Sequence, residues 1–204
     1  MGTISDSAVT ADEALQRLKA GNRRFVAGAA RFPTVQKEIL AELAEGQRPY
    51  ATILSCSDSR VPTELIFDAG FGELFIIRVA GNVMSPEVAG SLQYAGRHLH
   101  TPLFVVLGYT GCGAVAAAID TRQRGTRQHS RIQVLVDCIL PGLAGLDPQL
   151  SLEAMLSEGI EANVRWSMHQ ILESPEGRER QADKSVKLVG AIYDIETGRV
   201  RFLE

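Results

Sequence analysis

Five short apolar runs constrain this chain more than any other feature. Residues 50–55, 74–79, 103–107, 186–193 and 200–203 are each dominated by aliphatic and aromatic residues, and each is short enough to read as a buried strand. Stretches with apolar residues at helical spacing separate them. Strands alternating with helices predict an α/β fold, with a mostly parallel central sheet and helices on both faces. Glu196-Thr-Gly198 turns the last run back on its predecessor, which adds a C-terminal antiparallel edge hairpin. The first and third runs each end in a turn of small residues that carries a cysteine: Cys56-Ser-Asp-Ser-Arg60 and Gly108-Tyr-Thr-Gly-Cys112-Gly113. The carboxyl edge of such a sheet is where sites are built.

The intervening stretches follow in order. Residues 1–9 read as loose. Thr10 with Glu13 has the capping-box form, and Leu15, Leu18 and Phe25 form a helical stripe that stops near Gly28. Residues 34–45 predict a second helix, with Ile39, Leu40 and Leu43 inward and Gly46 as its stop. Residues 1–46 are thus an N-terminal helical arm. Ser85-Pro86 caps a helix carrying Val88, Leu92, Ala95 and Leu99. Residues 114–119 form the helix after the third strand, and the polar residues 121–131 read as a surface loop. Ile132, Leu135, Val136, Ile139 and Leu140 mark a helix closed by Pro141-Gly142, on which Cys138 reads as a packing residue. Residues 151–172 form a long helix containing Trp166.

Composition narrows the class. The 204 residues suit one domain over 1–204. A net charge of −3 gives no clustered basic excess, which argues against nucleic-acid binding. No apolar run approaches the roughly 18–20 residues of a membrane span, and the N-terminus has no signal-peptide pattern. Three cysteines without framework spacing favour reduced thiols, so the expected location is cytoplasmic.

Cys56, Asp58 and Cys112 are residue types that zinc uses, and three protein ligands plus water is the arrangement of a catalytic zinc. Each also has an ordinary reading. Buried free cysteines commonly only pack, and Asp58 with Arg60 can form a local ion pair that stabilises a turn. The glycines around Cys112 have neither the order of a dinucleotide fingerprint nor the Lys of a phosphate-binding loop.

Taken together, Cys56-Ser-Asp-Ser-Arg-Val-Pro62, Arg78-Val-Ala-Gly-Asn82 and Gly108-x-x-Gly-Cys-Gly-Ala-Val115 resemble the β-class carbonic anhydrases. The resemblance runs from about Leu15 to the C-terminus and includes Gly28, Gln47-Arg-Pro49, Glu64-Leu-Ile-Phe-Asp68 and the segment from Val189 to Gly198. It implies a Zn2+ enzyme that converts carbon dioxide to bicarbonate and a proton, with two cysteines and a histidine on the metal. Cys56 and Cys112 match the cysteines. Asp58 and Arg60 match a pair in which the aspartate faces the zinc-bound water or closes onto the metal as a fourth ligand. Gln47, Phe75, Ala80, Tyr94 and Gly113 match pocket positions, some of them reaching across a dimer interface. The resemblance also implies a homodimer or a dimer of dimers.

One position departs from the pattern. The histidine ligand belongs three residues before the second cysteine, where this chain has Tyr109, and His98, His100, His129 and His169 fall in no matching place. Three outcomes are open. Tyr109 binds as phenolate; or it stays neutral while Cys56, Asp58 and Cys112 hold zinc; or zinc is not held. The expectation is carbon dioxide hydration, impaired or shifted in pH. The alternatives are a non-catalytic homologue with a binding or scaffolding role, or a hydrolase of a related small molecule such as carbonyl sulfide.

Overall fold

The computed structural model describes residues 9–31, 37–183 and 186–203. Thr34, at the start of the second predicted helix, and most of the loose N-terminal segment lie outside them. Helix α1 (Ala11–Val26) begins at the predicted capping box: the Thr10 hydroxyl accepts from Glu13 N–H, and the Glu13 carboxylate accepts from Thr10 N–H. It buries Ala14, Leu15 and Leu18. In α2 (Lys37–Ala44), Ile39 and Leu40 are exposed and only Leu43 is half-buried, so the expected inward stripe does not cover this protomer's own core.

The remaining order is β1 (Ala51–Ser55), α3 (Thr63–Ile66), β2 (Leu74–Arg78), a 3-10 turn (Ala80–Asn82), α4 (Pro86–Arg97), β3 (Leu103–Tyr109), α5 (Gly113–Arg124), α6 (Arg131–Ile139), a second 3-10 turn (Leu140–Leu143), α7 (Leu152–Glu173), α8 (Pro175–Asp183), β4 (Lys187–Tyr193) and β5 (Val200–Phe202). Two boundaries differ from expectation. β3 runs on through Gly108 and Tyr109, because both continue the ladder to Ile192 and Tyr193. α5 takes in residues 121–124 and stops at Gly125, whose φ of 68° suits a glycine helix end.

The sheet order is β2-β1-β3-β4-β5, parallel except for the β4–β5 pair. Alternating side chains serve two cores, as the strand period requires. Leu54, Phe104 and Leu188 pack with Val88, Leu92 and Ala95 of α4. Ile53, Val105, Leu107 and Ala191 join the larger core with residues of α1, α5, α6 and α7. β1 and β3 are neighbours, with Ser55 opposite Leu107, while β2 lies on the far side of β1. The chain therefore reverses direction across the sheet at the β1–β3 pair. The carboxyl ends of those two strands form the crevice in which α/β folds place ligands.

Candidate functional site

That crevice brings the two predicted cysteines together. Cys56 follows β1 directly, and Cys112 is the residue before α5; they are 4 % and 1 % exposed. Their thiols are near enough to influence each other. This proximity lowers the Cys56 thiol below its ordinary pKa and raises that of Cys112, and burial pushes Cys112 up further.

Asp58 projects from the turn after Cys56. The Arg60 guanidinium grips it at both oxygens, with Nε donating to Oδ1 at 3.0 Å and Nη2 to Oδ2 at 2.8 Å, and Arg60 N–H adds a third bond at 2.9 Å. Arg60 holds the carboxyl well below the usual carboxylate range. The expected Asp58–Arg60 pair is therefore present.

Tyr109 ends β3 with its side chain buried. Its hydroxyl donates to Asp58 Oδ2 at 2.8 Å, accepts from the Cys56 thiol at 3.8 Å and bonds with the Cys112 thiol. Burial, then the charge shared by the cysteines, drives the phenol pKa up, so the group is a neutral phenol. The Arg60 guanidinium carbon also lies 6.0 Å from the centre of the Tyr109 ring.

The donor set does not fit zinc as it stands. Cys56 and Cys112 are suitable thiol donors, but Asp58 is committed to Arg60 and the phenol, and the Tyr109 hydroxyl touches both sulfurs and the carboxylate at once. Among the described residues, no group of three His, Cys, Asp or Glu is arranged to hold a metal ion. All four histidines are exposed, and His98 stacks on Tyr94 while His169 stacks on Trp166.

The other predicted pocket residues divide into two sets. Gly113 adjoins Cys112 as the first residue of α5, and Ala80 opens the 3-10 turn whose Gly81 N–H donates to Cys56 Sγ at 3.3 Å. Phe75 of β2 and Tyr94 of α4 stack together with ring centres 6.1 Å apart, and Tyr94 is 47 % exposed. Gln47 is exposed in the segment before β1. Neither Gln47 nor the Phe75–Tyr94 pair hydrogen-bonds to the cysteine cluster among the described residues. Two cavities are lined mainly by other residues. One of about 520 Å³ is lined by Leu92, Phe104, Ile171 and Leu188, and one of about 820 Å³ by Thr110, Ile160, Asp194 and Arg199.

Arg78 is a site residue whose role sequence reasoning left unassigned. It ends β2 opposite Ser55, and its guanidinium spans the Cys56 turn, with Nε donating to Cys56 O at 3.0 Å and Nη2 to Asp58 O at 2.6 Å. A basic residue closing a strand that abuts β1 was the available signal.

Comparison with known proteins agrees with this architecture. Residues 51–200 match the carbonic anhydrase family. The chain is 39% identical over 188 residues to carbonic anhydrase 2 of Mycobacterium tuberculosis strain H37Rv, covering 91% of this chain and 89% of that one. It is 35% identical over 192 residues to the carbonic anhydrase of Mycolicibacterium smegmatis, covering 92% and 90%. The crystal structure of the β-carbonic anhydrase CafA of Aspergillus fumigatus superposes with a TM-score of 0.73 at 27% identity, over 91% of this chain and 88% of that one.

Proposed function

The chain belongs to the β-class carbonic anhydrases, a family of lyases, and from that premise we propose that it carries out reversible hydration of carbon dioxide at a rate lowered by Tyr109. The observation that carries this reading is the Tyr109 hydroxyl, bonded to Asp58 and in contact with both thiols. Zinc, when bound in such an enzyme, supplies acidification of a bound water, from about 15.7 to ~7 in the best-known zinc centres. Cys56 and Cys112 are the donors that would hold it here, and the phenol must give way first. Arg60 keeps Asp58 ionised and oriented. Asp58 Oδ2, already accepting from both Arg60 and Tyr109, is not free to orient a third donor.

Gln47, Phe75, Ala80, Tyr94 and Gly113 complete the proposed pocket. Exposure of Gln47 and Tyr94 on the protomer supports their reaching a neighbour's site in a homodimer, with the exposed Ile39 and Leu40 of α2 also available to that neighbour. The whole of 1–204 acts as one unit in this reading, and its location is cytoplasmic.

A second reading is favoured by the same observation: a non-catalytic homologue whose role is binding. Stopped-flow carbon dioxide hydration with zinc supplied, for the native chain and Tyr109→His, separates the two. Slow turnover by the native chain and faster turnover by the variant is the expected result. No turnover by the native chain alone supports the binding role, and equal rates overturn the importance of Tyr109.

A further inference from the structure

The 3-10 turn Ala80–Asn82 carries an unusual backbone. Gly81 has φ 72° and Asn82 has φ 44°, so two consecutive residues occupy the left-handed region. Glycine accepts this readily, whereas for asparagine it is a cost of roughly 1 kcal/mol. A Cβ on Gly81 would also approach Ile139 Cδ1 to 2.9 Å, so the position is closed to larger residues. The product of this strained turn is one contact: Gly81 N–H pointing at Cys56 Sγ.

Helix α7 supplies the restraint. Asn163 Nδ2 donates to Gly81 O at 2.8 Å, and Ser167 Oγ donates to Asn82 O at 3.0 Å. The two residues are four apart and share one helix face. Each is 1 % exposed, and each engages the carbonyl of one left-handed residue. The Asn163 Oδ1 atom has no hydrogen-bond partner among the described residues. Burying an amide with one end unsatisfied is unfavourable, so the donor end has to justify the residue.

We propose that Asn163 is a positioning residue for Cys56. It fixes the Gly81–Asn82 peptide, and through the Gly81 Cα the preceding N–H that faces the sulfur, with Ser167 as its support one turn along. This deepens the reading above by naming what sets the position of the first thiol. Its test uses the chain without added metal, so its failure is distinguishable from a failure to hydrate carbon dioxide.

Asn163→Leu keeps the branched shape and the number of heavy atoms while removing both the donor and the unpartnered oxygen. Amide hydrogen exchange followed by NMR on the full chain reads the result. The expected outcome is Gly81 N–H exchange about tenfold faster, because the turn that aims this N–H loses its restraint, with Val105 and Val106 of β3 unchanged. In addition, Cys56→Ala should displace the Gly81 amide resonance in the native background and leave it unmoved in Asn163→Leu. Ser167→Ala should show a smaller change in the same direction. Unchanged Gly81 exchange, with the response to Cys56→Ala intact, would overturn the proposal and leave Asn163 as packing alone. Should Asn163→Leu fail to fold, Ser167→Ala decides: unchanged Gly81 exchange there overturns the proposal too.

Discussion

Tyr109 and Asp58 share a hydrogen bond between a neutral phenol and an ionised carboxylate, a type stronger than a neutral pair. Tyr109→Phe should therefore destabilise the chain by about 1–3 kcal/mol in urea unfolding, and no change would show the contact to be idle. The Asp58 carboxyl is lowered first by Arg60 and further by Tyr109. A carboxyl lowered in the folded state adds stability that is present above its unfolded pKa of about 3.9, and this is lost as pH falls through the folded value. The stability difference between the native chain and Asp58→Asn should stay flat from about pH 5 to 8 and shrink below about pH 3. A difference that instead varied steadily across neutral pH would assign the titration to another group. Sequence showed the Asp58–Arg60 pair directly, because two residues of separation in a turn permit little else. It did not show the phenol–carboxylate contact, because that depends on β3 running two residues further than its apolar run suggests.

At the scale of elements, the turn after β1 is held by β2. Arg78 bonds two carbonyls of that turn with one planar guanidinium, a geometry that lysine cannot reproduce. Arg78→Lys should cost about 1–2 kcal/mol by chemical denaturation. Helix α1 is tied to the segment after α3 by Asp68, whose side chain is 1 % exposed and takes bonds from Arg24 and Arg31. Burial alone would raise this carboxyl, but the two arginines outweigh it and the net shift is downward. Asp68 has φ 45°, a conformation asparagine also tolerates. Asp68→Asn therefore isolates the lost charge and should lower stability by about 1–3 kcal/mol at neutral pH, converging with the native chain in acid. Equal stability at pH 7 would show the arginines to be no more than solvated surface groups. Helices α3 and α8 escaped the sequence reading for physical reasons. The first has four residues, fewer than a period needs, and the second, Pro175–Asp183, is so polar that it has no apolar stripe to detect.

For the molecule as a whole, the parallel sheet, the terminal hairpin and the meeting of Cys56 with Cys112 were legible, because buried strands announce themselves by short apolar runs. The α7 contacts to Gly81 and Asn82 were not, since they join residues 82 and 85 positions apart with no local pattern linking them. Among the described residues β2 ends the sheet with its outer backbone edge unpaired, and Leu65, Phe71 and Tyr94 are exposed. Such an edge invites pairing, so sedimentation velocity should find a dimer that Phe71→Asp with Tyr94→Asp dissociates; a monomeric native chain would contradict this. On the proposed reading, Tyr109 keeps zinc from being held tightly. Zinc content per chain, measured after loading with zinc and desalting, tests it most directly. Well under one zinc is expected for the native chain and about one for Tyr109→His, which supplies three protein ligands and leaves a position for water. One tightly held zinc in both proteins would contradict it.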